Sequence, residues 1–240
     1  MSIKPNLDLL QKAISYKFND ILLLKQALTH RSAHHKHNER LEFLGDAILG
    51  SVIANALYEK FPKADEGQLS RLRAFLVKEK ALSELASELN FSQFLILGSG
   101  ELKSGGFRRA SILSDTFEAI IGAVLLDSDY QVAQQYILKL YQKKLTALSL
   151  NMAEKDPKTK LQEWLQARSH QTPMYDVVRS SGKDHAKTYW VMCSLDFQNI
   201  KVEGFGESRR KAEQDAATKA INEIQAKLNS NQLDTSGKIN

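Results

Sequence analysis

Only one cysteine, Cys193, occurs in 240 residues, so no intramolecular disulfide can form. This fits a reducing compartment, and a lone cysteine in a strand is ordinarily a core residue. The N-terminal run Met1-Ser-Ile-Lys-Pro-Asn-Leu-Asp8 lacks the apolar stretch of a signal peptide. No segment strings together the roughly 18 apolar residues of a membrane span. The expectation is a cytoplasmic protein with no membrane partner. Gly98-Ser-Gly100 and Ser104-Gly-Gly106 lack the Gly-Lys-Ser/Thr of a phosphate loop, and neither follows a strand with a dinucleotide fingerprint. Both read as a flexible turn, and no small-molecule cofactor is expected.

What is present is a chain long enough for one large domain or two modest ones, with a normal 42% apolar content. Lys plus Arg exceed Asp plus Glu by 33 − 28 = +5, for a pI near 9.1, which suggests a polyanionic partner.

The chain is organised around Asn38-Glu39-Arg40-Leu41-Glu42-Phe43-Leu44-Gly45-Asp46-Ala47-Ile48. Wound as a helix at about 100° per residue, it brings Glu39, Glu42 and Asp46 within roughly 60° of one another, with Leu41, Leu44 and Ile48 opposite. Like charges at i,i+4 spacing repel, and no base on this face compensates, since Arg40 points about 100° away from Glu39. A bound cation would balance the cluster. An all-carboxylate set suits a hard divalent ion such as Mg²⁺, with Mn²⁺ able to substitute, better than zinc. A solvated acidic face is the alternative. Phe43 falls about 40° from Glu39, away from the apolar stripe. A large aromatic there points to a surface covered by another chain; packing inside its own subunit is the alternative.

A second acidic pair, Asp115 and Glu118, stands at the head of Ser111–Leu126, which is apolar on nearly every side. Burying two unpaired carboxylates costs several kcal/mol, so they need partners. Service to the helix macrodipole explains one acid better than two. Between the two clusters and the N-terminus lies the loop His30-Arg31-Ser32-Ala33-His34-His35-Lys36-His37. Without Cys partners, and beside Arg and Lys, it reads as a basic loop facing solvent or nucleic acid sooner than as a metal site.

Glu39-Arg-Leu-Glu-Phe-Leu-Gly-Asp-Ala47 with Asp115-Thr-Phe-Glu118 downstream resembles the signature of bacterial ribonuclease III, and the similarity extends over nearly the whole chain. The resemblance implies a Mg²⁺-dependent endoribonuclease that cuts double-stranded RNA as a homodimer. It implies 5′-phosphate and 3′-hydroxyl products, and substrates among ribosomal RNA precursors and structured messenger RNA. Metal ligands would be Glu42, Asp46, Asp115 and Glu118; catalytic roles would fall to Asp46 and Glu118, with Glu39 and Glu66 as accessory acids. Glu66 matches the family's Asp-Glu-Gly-x-Leu-Ser motif, although Asp65 also reads simply as a helix cap. The aromatic matching Phe43 lies at the family's subunit interface. Gly106-Phe107-Arg108-Arg109-Ala110 departs from the more polar residues usual in the family.

Residues 1–150 read as an all-α nuclease and dimerisation domain. Residues 151–156 read as a linker, 157–227 as a small α-β-β-β-α domain, and 228–240 as a disordered tail. In 157–227, Leu161, Trp164 and Leu165 form a buried stripe that leaves Thr159, Gln162, Glu163 and Gln166 on one exposed face. Tyr189, Val191, Cys193 and Leu195 alternate with Thr188, Trp190, Met192 and Ser194 in a strand. Ala212, Ala216, Ala217 and Ala220 let the last helix lie close on the sheet. Arg209, Arg210 and Lys211 at its N-terminus oppose the macrodipole, a sign that phosphates would reverse.

This order, with Asp156–Glu163 and Gly206–Ala212, resembles a double-stranded RNA-binding domain. By matching positions, Thr159, Gln162, Glu163 and Gln166 would meet one minor groove and the loop around His185 the next. Arg209 to Lys211 would meet the phosphates between. An ordinary loop residue is the alternative for His185. Residues 155–227 carry 13 Lys/Arg against 10 Asp/Glu, a net of +3. Affinity therefore comes from the placement of charge. A double-stranded RNA-binding regulator without nuclease activity would gain nothing from clustered carboxylates that repel RNA. A small-molecule phosphohydrolase has no use for the C-terminal domain.

Overall fold

Two short capped helices begin the chain. Asn6 accepts from the amides of Asp8 and Leu9 to open α1 (Leu7–Ala13), and Asp20 accepts from Leu22 to open α2 (Ile21–Ala27). The computed structural model describes residues 6–153, 155–182 and 187–236, with side chains to 229. The chain divides into two compact units, Met1–Glu154 and Lys155–Asn240.

In the first unit, α3 (Glu39–Lys60) ends just before Pro62, whose ring cannot continue a helix. Next, α4 (Glu66–Val77) opens with a capping box in which Asp65 and Gln68 exchange side-chain and backbone bonds. There follow α5 (Glu79–Glu88), the short α6 (Ser99–Lys103), α7 (Ala110–Asp127) and α8 (Tyr130–Ala147). By length and composition α3 could cross a membrane. Its apolar side, however, is buried at Leu41, Ile48, Leu49, Val52, Ile53 and Leu57 in one core with Phe117, Ile120, Ile121 and Val124 of α7.

The crossing of α3 over α7 is set by two glycines. A Cβ at Gly45 would lie 1.8 Å from the carbonyl oxygen of Glu118, and one at Gly122 would lie 2.2 Å from that of Leu41. Backbone therefore touches backbone, and residues flanking the crossing on both helices are drawn together. The acids at 42 and 118 are such neighbours. The end of α7 is held by Asp127, whose carboxylate accepts from the Tyr16 hydroxyl at 2.9 Å and the amides of Asn19 at 2.9 Å and Asp20 at 2.7 Å.

Gly98–Gly106 is not the flexible turn that its composition suggests. Gly98 approaches Ser32 so closely that a Cβ would lie 2.2 Å from the Ser32 carbonyl oxygen. The Gly98 amide also donates to Ser32 Oγ at 2.9 Å. Nor is 151–156 an idle linker. A 3₁₀ turn at Leu150–Ala153 ends with Ala153 buried, its carbonyl accepting from Arg71 Nε at 2.7 Å. Asp156 caps the next helix. The sequence offers this segment no apolar periodicity, so its tertiary partners were invisible there.

The second unit runs α9 (Pro157–Gln166), β1 (Met174–Ser181), β2 (Thr188–Leu195), β3 (Ile200–Gly206) and α10 (Arg209–Ser236). The strands form an antiparallel sheet in the order β1-β2-β3. Leu161 and Leu165 meet Cys193, Leu195, Ile200 and the Ala216, Ala217 and Ala220 face of α10 in a second core. A Cβ at Gly204 would lie 2.2 Å from the Ala216 amide nitrogen, which is how closely the small-residue face lies on β3. The two helices are linked at their starts: Asp156 Oδ1 accepts from Thr159 N at 3.0 Å and Gln214 Nε2 at 2.9 Å, and Gln214 Oε1 accepts from Lys158 N at 3.2 Å. The last helix does not stop at 227 but continues to Ser236. Between 228 and 236 there is neither proline nor glycine to break it, whereas Gly237 follows at once. Residues 237–240 lie outside the described residues.

Candidate active site

Glu42 on α3 and Asp115 and Glu118 on α7 form a trio whose carboxylate oxygens all lie within 4.8 Å of one another. Among the described residues it is the one group of three or more acidic, His or Cys side chains so arranged. The His-rich loop forms none: His34 and His35 stack at 4.0 Å, and His37 Nδ1 sits 3.9 Å from Glu39. Burial pushes the Glu118 carboxyl up to about 8, with Asp46, Glu42 and Asp115 adding repulsion. Glu42 is raised by burial and by Asp115, Glu39 and Asp46. Burial also raises Asp115, against a lowering hydrogen bond from Ser114. Among the described residues no ion pair links a base to the trio. The donor set is all oxygen, crowded and negative, which fits a hard divalent cation.

The other sequence-assigned acids stand apart from the trio in different degrees. Asp46, one turn further along α3, is exposed, yet acts electrostatically on both Glu42 and Glu118. Glu39 is exposed and does have a compensating base, contrary to the helix-wheel reading: Arg31 Nη1 lies 3.5 Å away, supplied by the preceding loop. Glu66 is not brought to the cluster. Its carboxylate accepts from Ser70 Oγ at 2.6 Å and lines a separate hollow with Ser51, Asn55, Tyr58 and Arg73.

Around Glu42 and Asp115 a hollow opens whose wall includes His30, Arg31, Ser32 and Arg109. Sequence reasoning reads the first three only as part of a basic loop facing solvent or nucleic acid, and gives Arg109 no role. Arg109 is aimed by Glu101, whose carboxylate lies 2.8 Å from its guanidinium and is packed beneath Gly106. The one signal for them was the presence of cations flanking both acid motifs in sequence.

Two family models divide the chain as the fold does. The one described as Ribonuclease-III-like matches residues 20–145, and the double-stranded RNA binding motif matches 157–224. The chain belongs to the ribonuclease III family. Ribonuclease 3 of Marinomonas sp. (strain MWYL1) is 55% identical over 218 residues, spanning 91% of this chain and 96% of that one. Ribonuclease 3 of Proteus mirabilis (strain HI4320) is 54% identical over 216 residues, spanning 90% and 96%. The crystal structure of the nuclease domain of ribonuclease III from Campylobacter jejuni is 43% identical and superposes with a TM-score of 0.57, over 60% of this chain and 99% of that one. A second structure of that domain, concerned with flexibility in its region involved in dimer formation, is 45% identical with a TM-score of 0.56, over 57% and 97%. This ribonuclease III family member, with its double-stranded RNA-binding motif, is a double-strand-specific endoribonuclease.

In that motif Thr159, Gln162, Glu163 and Gln166 are all exposed on α9, with Thr159 Oγ1 donating to Asp156 at 3.1 Å and Glu163 paired to Lys155. His185 lies outside the described residues. Arg209, Arg210 and Lys211 occupy the first turn of α10, but two already have carboxylate partners: Arg209 with Glu213 at 2.8 Å and Lys211 with Glu207 at 2.5 Å. The unfavourable arrangement at the helix start is thus partly relieved within the helix and its entry. Arg209 and Lys211 nevertheless keep about two-thirds of their side-chain surface in water, 64% and 67%. Replacing all three by Ala should weaken duplex binding equally across sequences and flatten its salt dependence by a slope of roughly 1 to 3, with folding retained. Titrations at several salt concentrations check this; an unchanged slope removes these residues from the phosphate contacts.

Proposed function

We propose that the trio holds Mg²⁺, with Mn²⁺ able to substitute, and that the enzyme acts as a cytoplasmic homodimer on ribosomal RNA precursors and structured messenger RNA. The observation that carries the metal assignment is the crowding of Glu42, Asp115 and Glu118 within 4.8 Å, with no ion-paired base among the described residues and Glu118 raised to about 8. A bound divalent cation supplies positive charge that activates an attacking water and stabilises charge on the scissile phosphate and the leaving 3′ oxygen. Glu42, Asp115 and Glu118 hold that charge in place. Asp46 and Glu39 extend the negative field along α3, and Asp46 would join the ligand set. Bond cleavage at the 3′ oxygen leaves 5′-phosphate and 3′-hydroxyl ends. Glu66, remote from the trio, keeps only an accessory role.

A long RNA duplex incubated with the protein should be cut in Mg²⁺ and not in Ca²⁺, whose longer and looser coordination fits the same oxygens less tightly. Equal cutting without divalent ion overturns the metal assignment.

Because Ala153 and the Arg71 bond belong to the first unit, a truncation should end at residue 154 and not at 150. Such a fragment is expected to remain helical and to cut duplex RNA at low salt with poor affinity. A folded, dimeric fragment that is inactive under those conditions would show that the C-terminal domain takes part in chemistry.

A further inference from the structure

Resting on the proposed function, we infer that His30 is a substrate-binding residue of this site, donating from Nε2–H to a phosphate oxygen of the strand lying against the acid trio. The assignment begins with the backbone. His30 N donates to the Ile96 carbonyl at 3.0 Å, and the Ala33 amide closes a turn onto the His30 carbonyl at 2.9 Å, so the residue is pinned on both sides.

The ring is fixed next. The Ser32 amide lies 3.2 Å from His30 Nδ1, and an amide can only donate, so Nδ1 must accept. Ser32 Oγ, 2.8 Å from the same nitrogen, accepts from the Gly98 amide and is left with its own proton for Nδ1. With Nδ1 an acceptor, the neutral ring carries its proton on Nε2. Among the described residues Nε2 has no hydrogen-bond partner in the protein. The ring lines the hollow shared with Glu42, Asp115 and Arg109.

An oriented donor without a protein partner, set in a hollow of carboxylates, suits an anion that the carboxylates alone would repel. A phosphodiester held there meets His30 on one part of the wall and Arg109 on another. Gly98 and Ser32 make the arrangement specific, since their backbones touch and no larger residue fits at 98.

The test separates the two ring nitrogens. In H30N the amide oxygen replaces Nδ1 as acceptor for the Ser32 amide, but no donor reaches the hollow. In H30Q the longer amide restores a donor near Nε2. Single-turnover cleavage of an RNA duplex at saturating enzyme in Mg²⁺ should fall roughly 10- to 100-fold in H30N, the range of one hydrogen bond to a charged group. It should be largely restored in H30Q, and duplex affinity in Ca²⁺ should fall in H30N and recover in H30Q, since the lost bond is made to bound RNA. Phosphorothioate substitution near the cut should reveal one position whose interference is present in wild type and H30Q and absent in H30N. Wild-type rates in H30N, equal losses in H30N and H30Q, or an identical interference pattern in all three overturn the assignment. Should H30N fail to fold, H30Q decides alone, because loss of the wild-type interference position there is equally fatal. Wild type assayed alongside keeps the readings distinct: an inactive wild type in Mg²⁺ sinks the metal proposal, whereas a fully active H30N sinks this one.

Discussion

Glu118→Ala is expected to abolish cleavage, by roughly 10³-fold or more, while duplex affinity stays near wild type. That scale is the one at which transition-state electrostatic stabilisation is lost. The side chain sits in the trio and adds only repulsion toward RNA when metal is absent. Its raised carboxyl gives a second readout. A folded-state value of about 8 against an ordinary 4.5 means the native protein holds that proton more tightly than the unfolded chain. Stability is therefore fully present below 4.5 and is lost as pH rises toward 8. Metal-free wild type should melt at progressively lower temperature over that range, Glu118→Ala should flatten the trend, and Mg²⁺ should raise the wild-type melting temperature most at the alkaline end. Residual turnover near wild type, or a melting temperature of the variant that falls with pH as steeply as wild type, would remove Glu118 from the site.

Why the acids were legible and their surroundings were not follows from what each depends on. Glu42, Asp115 and Glu118 were readable because unpaired carboxylates beside apolar helical stripes violate ordinary patterning, and a functional site is where such violations collect. The contact that brings them together was not, because Gly45 and Gly122 lie 77 positions apart and a helical glycine has no local meaning until a second backbone is known to press on it. Glu66 differs. It is an accessory acid by its motif, and α4 places it beside Ser51 and Asn55 of α3. His30 and Arg31 enter from a loop whose course is set by Ile96 and Gly98, and Arg109 is aimed by Glu101, contacts with no sequence periodicity to announce them. In the second unit the alternation that marked Val191, Cys193 and Leu195 is local, and the burial of all three follows it directly. The ion pairs of Arg209 and Lys211 are equally local, at i,i+4 spacing. They were available to sequence reasoning, which weighed only the macrodipole.

Phe43→Ala is expected to shift the protein from dimer toward monomer and to lose duplex cleavage with every acid in place. Phe43 is 78% exposed, so it does not pack inside its own subunit. It stands on α3 and lines a depression with Leu23, Leu41, Leu44 and Leu126, rimmed by Gln26, Glu39 and Arg40, with Leu126 also exposed. Phe43 and Leu126, both in water on the rim of one hollow, form a patch that a second surface would cover. Fully burying one such side chain contributes roughly 1.5 to 3 kcal/mol, and a two-fold axis would use each contact twice. Truncating Phe43 would then cost the pair about 3 to 6 kcal/mol, enough to raise the dimer dissociation constant by roughly 10²- to 10⁴-fold. Because the same helix carries Phe43 and Glu42 one residue apart, a partner seated on this patch would bring its own acid trio close to the shared surface. A duplex has two strands to cut, and one trio reaches only one. Sedimentation across a concentration series measures the first effect, and strand-resolved cleavage measures the second. A Phe43→Ala protein that stays fully dimeric at low concentration would place the interface elsewhere, and one that becomes monomeric yet still cuts both strands at the wild-type rate would separate dimerisation from cleavage.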